Sequence, residues 1–240
     1  MTQLSISLTI ISETALSVGA GGSAGTIADK SVVRDGWGRL IIPGSQVKGK
    51  TRWGVEQILR SLGWDVPTPF DERERVETEK LKRLNSSENG QLANSVRVLF
   101  GSPQQRSPLH FADLVGVVGP VDQIDTLRDG LEQQHSQIRP SVSINRRRST
   151  AEDARLLFQE TGVEHMQFYA KEAITGELDN PGDAALLWAA LRLSTRWGGA
   201  KSRGLGWSCV DVVVRWDGKV VNCERLAQEL RDLVAQKGGD

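Results

Sequence analysis

Leu4, Ile6, Leu8 and Ile10 alternate with polar residues, a period of two that predicts a half-buried strand at the start of the chain. The period changes in the stretch Leu40 to Leu59. There an apolar strand (Leu40, Ile41, Ile42) runs into Pro43-Gly44-Ser45. Val47, Thr51, Gly54, Val55, Ile58 and Leu62 then recur on one face at helical spacing. This predicts a core-facing helix with Ser45 as N-cap, its hydroxyl accepting from an otherwise orphaned N–H. Ser95 to Phe100 alternates weakly and reads as strand until Gly101-Ser102-Pro103 breaks it, and Leu109 to Val118 reads as another strand carrying His110 and Asp113. Ser141 to Ile144 and Gln167 to Ala170 read as strands around an Arg-rich segment. Ala185, Leu186, Ala189, Leu193 and Trp197 fit one helix that starts near Pro181. Trp207 to Trp216 is β-branched and strand-like, and a final amphipathic helix is expected from about Cys223 to Ala235. Gly63 to Asn94 is polar and rich in Glu, Lys and Arg. It reads as an insertion holding one helix, about Asp71 to Leu84, and Val121 to Gln137 reads as helical or irregular.

The chain has 240 residues, enough for one large domain with a substantial core. Thirty basic residues balance thirty acidic ones, so any case for a polyanionic partner rests on local clusters. Cys209 and Cys223 are the two cysteines, and no Cys/His set has zinc spacing. The first residues lack a basic n-region and a cleavage site, and no apolar run reaches membrane-spanning length, so the expected compartment is the cytoplasm and no membrane partner is expected.

Three clusters carry candidate chemistry. Lys48, Lys50 and Arg52 sit in the first turns of the Ser45 helix, where the macrodipole disfavours positive charge. Lys48 and Arg52 flank the apolar stripe and Lys50 points elsewhere. The cluster is either a solvated face or a place where an external phosphate backbone supplies the missing negative charge, assisted by helical N–H groups. Arg139, Arg146, Arg147, Arg148 and Arg155 form the most basic segment. It is either a solvated loop balanced by Glu152 and Asp153 or an arm that grips phosphates or wedges into a duplex. Phe158, Phe168 and Tyr169 beside it could stack or pack. Gly198, Gly199, Gly204 and Gly206 bracket Lys201, Ser202 and Arg203, which fits a tight helix-to-strand turn or a backbone that approaches a phosphate and points N–H groups at it. Neither this loop nor the one at Gly19, Gly21, Gly22 and Gly25 has a Walker or dinucleotide spacing. Asp29 follows the earlier loop, and Asp35-Gly36 is a turn signal.

A glycine-rich loop with an Asp, an apolar strand, IPGS-x-x-KG-x-x-R and a late GG-x-x-SRG-x-G together resemble the repeat-associated mysterious protein (RAMP) superfamily of CRISPR systems. Order and size look most like the backbone subunit of type III (Csm/Cmr-like) effector complexes. The resemblance covers nearly the whole chain. It implies an α+β fold: a modified RNA-recognition-motif, ferredoxin-like palm with a protruding thumb hairpin at about 137–162 and a helical insertion or lid at about 63–95, in one domain over 1–240. It implies RNA binding through Lys48, Lys50, Arg52, Arg139, Arg146, Arg147, Arg148, Gly198, Gly199, Lys201, Ser202, Arg203, Gly204 and Gly206. The family's cleaving aspartate matches Asp29, with Asp35 as runner-up. The implied role is antiviral defence. The partners would be a CRISPR guide RNA, complementary target RNA, further backbone copies, a large polymerase- or cyclase-like subunit, a small helical subunit and a subunit capping the guide 5′ end.

RNA cutting needs an in-line attack on phosphorus, for which the neighbouring 2′-hydroxyl is the nearest nucleophile. One carboxylate is too few for an all-protein cage, so a divalent metal, Mg²⁺ by expectation, would be held weakly by Asp29 with water and phosphate. Three alternatives stand beside the cleaving subunit. One is a guide-binding subunit that does not cut. Another is a metal-independent nuclease that processes guide precursors; it needs a positioned histidine, and none of His110, His135 and His165 lies in a glycine-rich motif. The third is a small-nucleotide-binding protein. The first two, and the cleaving subunit itself, require the two basic, glycine-lined segments to converge on one groove.

Overall fold

The computed structural model describes residues 2–19, 28–64, 66, 96–102, 105–117 and 136–235. In chain order the elements are β1 (Thr2–Ser12), β2 (Ile41–Ile42), α1 (Gly44–Ser61), β3 (Leu109–Phe111), β4 (Leu114–Val117), β5 (Ser136–Asn145), β6 (Thr150–Gly162), β7 (Gln167–Leu178), α2 (Pro181–Arg192), a 3₁₀ turn at Lys201–Arg203, β8 (Ser208–Trp216), β9 (Lys219–Val220) and α3 (Cys223–Ala235). The main sheet runs β2-β4-β7-β1-β8-β9, with β3 also pairing β7. β1 is antiparallel to both β7 and β8. A β-α-β-β-α-β order with the first strand between the third and the fourth is the ferredoxin-like arrangement, so the α+β palm expected from the sequence is present.

The palm forms where the apolar periods demand it. Leu4, Ile6, Leu8 and Ile10 are fully buried on one face of β1, each removing about 2 kcal/mol of apolar surface from water. Val47, Thr51 and Val55 of α1 are likewise at 0% exposure, and Leu59 continues the stripe. α1 packs on α2. The helices come close because Gly54 has no side chain: a Cβ there would lie 2.9 Å from the Ala190 Cβ. The α3 bounds agree with the sequence expectation.

The second sheet is the β5–β6 hairpin, in which Pro140 pairs with Phe158 and Val142 with Leu156. Its root is tied to the loop after residue 27. Glu160 Oε2 accepts from the Val32 N–H at 3.1 Å, and Oε1 accepts from Arg34 at 2.6 Å. Arg34 also donates to Ser136. Burial alone would raise the Glu160 carboxyl, but the Val32 amide, Ser136 and Arg34 bring it below its ordinary value.

The structure corrects four local expectations. Residues 96–100 are helical, not strand: Val96, Leu99 and Phe100 are buried at positions i, i+3 and i+4, a spacing that a short window does not separate from alternation. The strand expected over Leu109 to Val118 is two strands, because the chain turns at Ala112-Asp113. The carboxylate of Asp113 accepts from the Gly44 N–H at 2.7 Å. Ser45 therefore does not cap α1. Pro43 occupies the N-cap position, and Asp113, from a distant strand end, supplies both the acceptor and the negative charge. Finally, α2 stops at Arg192. Leu193 is 65% exposed, and Trp197 is buried from the following loop, its indole N–H donating to the Ser194 carbonyl at 2.7 Å. The expected helix at Asp71 to Leu84, most of the insertion, and residues 121–135 lie outside the described residues.

Gly44 allows α1 to start against β3, since a Cβ there would overlap the Phe111 carbonyl oxygen. Gly44→Ala is expected to destabilise the fold by about 1–3 kcal/mol in urea denaturation. Gly49→Ala, on the same helix with open space around it, should be neutral or slightly stabilising. Equal behaviour of the two variants would refute the close contact.

Candidate nucleic-acid interface

The segment Ala15 to Val18 gathers the candidate residues. Its four residues are buried, so their carbonyls need partners within the protein. Three glycines supply them: Gly206 N–H donates to Ala15 at 3.0 Å, Gly162 to Leu16 at 2.7 Å and Gly199 to Ser17 at 2.6 Å. Val33 N–H donates to Val18. The Ser17 hydroxyl donates to the Glu160 carbonyl and accepts from the Gln159 amide. One short segment thus ties the late glycine loop, the hairpin root and the Asp29 loop together.

This changes the role of the late glycines. The N–H groups of Gly199, Gly204 and Gly206 bond protein carbonyls and do not face outward for a phosphate. Gly198 (φ 71°) and Gly206 (φ 79°) adopt left-handed backbone, and side chains there would strike Ser17 and Trp197. The glycines pack the loop down and leave Lys201, Ser202 and Arg203 raised on a 3₁₀ turn. At the same root, Arg196 lies 3.7 Å from the Trp207 ring centroid, a stack that the sequence pattern did not indicate.

α1 and this turn meet. Lys50 lies close enough to Lys201 for the two charges to act on each other, so one residue of the basic helix adjoins the glycine loop. Burial first, then the bond to Lys201 and its charge, pull Lys50 down from 10.5 to about 8. Neither ammonium has a carboxylate partner among the described residues. The contact falls on Lys50, which the helical stripe had set apart. Arg52 pairs instead with Glu56 at 2.9 Å, and Glu56 also holds Arg60. Lys48 lies 5.8 Å from the Phe111 ring centroid. Arg203 reaches toward the hairpin, 3.5 Å from the Gln159 side-chain oxygen.

Asp29 stands on the neighbouring residue of that hairpin strand. Its N–H donates to the Phe158 carbonyl at 2.9 Å, and its Oδ2 accepts from the Phe158 N–H at 2.8 Å. The side chain is exposed, and Oδ1 has no hydrogen-bond partner among the described residues. Asp35 differs. Oδ1 accepts from the Trp37 and Arg39 amides, and Oδ2 accepts from the Arg39 guanidinium at 2.7 Å. Both its oxygens hold its own turn, which leaves Asp29 as the available carboxylate. Gly21, Gly22 and Gly25 lie outside the described residues.

The Arg-rich segment forms the β5–β6 turn. Asn145 accepts from the Arg147 and Arg148 amides, and Ser149 takes a left-handed conformation (φ 54°) to close the turn. Arg146, Arg147 and Arg148 are exposed there. Glu152 accepts from the Asn145 amide at 2.6 Å and forms no ion pair with them among the described residues. Arg139 pairs at 3.3 Å with Glu164, both exposed, a contact of little energetic weight. Phe168 is a core residue, and Phe158 is 37% exposed. His110 is on β3 and His165 in the β6–β7 turn, while His135 lies outside the described residues. Among the described residues no three His, Cys, Asp or Glu side chains are grouped to hold a metal ion, so Asp29 alone does not make a resident metal site. No described helix is long and apolar enough to cross a membrane.

An antiparallel ferredoxin-like palm, a separate hairpin and adjoining lysines from α1 and the glycine loop together point to the class of protein. Residues 9–210 match the RAMP superfamily, and the chain belongs to it. Among solved structures it is similar to a chain in the cryo-EM structure of the type III-B Cmr-beta bound to cognate target RNA. The TM-score is 0.54 at 12% identity, over 92% of this chain and 61% of that one. That likeness is one of fold, and this chain spans less than two thirds of the other's length. No curated protein matches in sequence.

Between about pH 8 and 10.5 the unfolded chain keeps a proton on Lys50 that the folded chain has released. Stability therefore rises with pH through that window, and the unfavourable contribution is largest below it. Lys50→Met should gain stability relative to wild type at pH 7, and the gap should shrink by pH 10. Urea unfolding at the two pH values tests this, and a gap independent of pH would contradict the assignment.

Proposed function

We propose that the protein is a guide-RNA-binding backbone subunit of a type III CRISPR effector complex, and that its Asp29 cuts complementary target RNA in the assembled complex. The observation that carries the binding role is the Lys50–Lys201 pair: two ammonium groups held together with no carboxylate between them. A folded protein gains nothing from that approach, whereas an RNA phosphate between them would relieve the repulsion and raise the Lys50 pKa back toward its ordinary value. Family membership and the likeness to a subunit of an RNA-bound complex support the same reading. The partners in this reading are the guide, its target, further backbone copies, and the large, small and guide-capping subunits. Readout is of backbone and shape, because lysines on phosphate carry no base information and one subunit has to accept any guide.

For cleavage, the ribose 2′-oxygen attacks the adjacent phosphorus, and the bond from phosphorus to the 5′-oxygen breaks. Asp29 Oδ1 accepts the 2′ proton, and water protonates the leaving oxygen. The bond from Phe158 N–H to Oδ2 fixes the carboxylate against the hairpin root, so a strand bent over the hairpin would meet it in one orientation. Mg²⁺ belongs to this proposal only as an ion arriving with the RNA, and no step depends on it. That no group of three metal-ligating side chains includes Asp29 among the described residues favours a second reading, a subunit that binds without cutting.

Asp29→Ala, assembled with guide RNA and the other subunits, should abolish cuts in complementary RNA and leave target binding intact. Unchanged cuts would leave the binding-only reading. Adding EDTA to the wild-type complex separates an ion-dependent cut from an ion-independent one. Lys50→Ala with Lys201→Ala should weaken RNA binding about tenfold or more at low salt, equally for unrelated sequences. The dependence on log salt should be shallower by roughly two phosphate contacts. An effect confined to certain sequences would contradict backbone readout.

A further inference from the structure

Trp53 is the largest exposed apolar side chain on α1, at 56% exposure. Tryptophan is usually well covered in a folded protein, and an uncovered indole on an otherwise amphipathic helix is a poor choice for stability alone. Its position gives it a use. The Lys50 ammonium lies over the ring at 5.8 Å from the centroid, and the same ammonium meets Lys201. An aromatic plane and two cations without carboxylate partners among the described residues therefore adjoin. Those are the two complementary surfaces of a nucleotide: a flat π face for the base and positive charge for the phosphate.

We propose that Trp53 is a stacking platform for one unpaired base of the bound RNA strand, whose phosphate lies at Lys50 and Lys201. This rests on the RNA-binding reading above and adds a contact that the basic residues do not supply. Stacking accepts any base, since each has a π face, so the platform is compatible with a subunit that takes any guide. It also accounts for the direction in which Lys50 is held: the cation over the indole ties the phosphate site to the base site. A protein partner on Trp53 is less suited to these surroundings, because it would bury two like charges along with the ring.

The test uses the full chain and a fluorescein-labelled oligoadenylate of about 12 nucleotides, beside the same oligomer with abasic riboses. Trp53→Ala should weaken oligoadenylate binding about fivefold or more, and Trp53→Phe should retain most of it. The salt slope should stay unchanged in both, because a ring releases no counterions. On the abasic oligomer, wild type and Trp53→Ala should bind alike. Far-ultraviolet circular dichroism confirms that each variant is folded, which the exposure of Trp53 leads one to expect. Normal binding by Trp53→Ala, with weakened binding by the Lys50/Lys201 double variant, overturns the platform and leaves the RNA reading intact. Normal binding by the double variant overturns that reading itself. Loss of self-association by Trp53→Ala in sedimentation, with binding unchanged, overturns the platform in favour of a protein contact.

Discussion

Four buried residues, Ala15 to Val18, hold the molecule's working parts together. Leaving their carbonyls unbonded would cost on the order of 1–3 kcal/mol each, so the chain has to bring donors to them. Those donors come from Gly199, Gly162, Gly206 and Val33, three separate regions of sequence. Only residues without a Cβ fit at the closest approaches, as the clash of a side chain at Gly198 with Ser17 shows. Satisfying a few backbone groups therefore places the raised Lys-Ser-Arg turn, the hairpin root and Asp29 side by side.

Charge is distributed unevenly around that junction. Several cations have carboxylate partners: Arg34 on Glu160, Arg39 on Asp35, and Arg52 with Arg60 on Glu56. The α1 N-terminus is also provided for, by Asp113. At Lys50 and Lys201, and at the turn over residues 146–148, no such partners stand among the described residues. What sets these two places apart is the closeness of like charges, Lys50 to Lys201 and three consecutive arginines at the hairpin tip, a local arrangement of the kind that a polyanion offsets.

Much of this was legible beforehand, and the misses have physical causes. The long periodic stretches, β1, α1 and α3, read correctly because burial on one face enforces their period. Residues 96–100 misled because five positions contain too few repeats to separate a period of two from one of 3.6. Of the motifs behind the RAMP resemblance, the late glycines sit at the junction, whereas Lys48 lies by Phe111 and Arg52 pairs with Glu56. Lys50 rather than Arg52 meets the glycine loop, and the loop glycines pack instead of presenting N–H groups. Gln159 and Trp53 gave no signal, since Gln159 acts through a partner far away in sequence and Trp53 through exposure that a pattern does not record.

By itself the chain of residues determined where β1, α1 and α3 lie and the location of its basic clusters. All of these follow from local periodicity and composition within a window of a few turns. The three-dimensional packing alone decided which cation faces which, which carboxylate is left available and which acceptor meets the first N–H of α1. Those outcomes depend on contacts between segments more than a hundred residues apart, such as Asp29 with Phe158 and Ser17 with Gln159, and no local pattern encodes a distance across the fold.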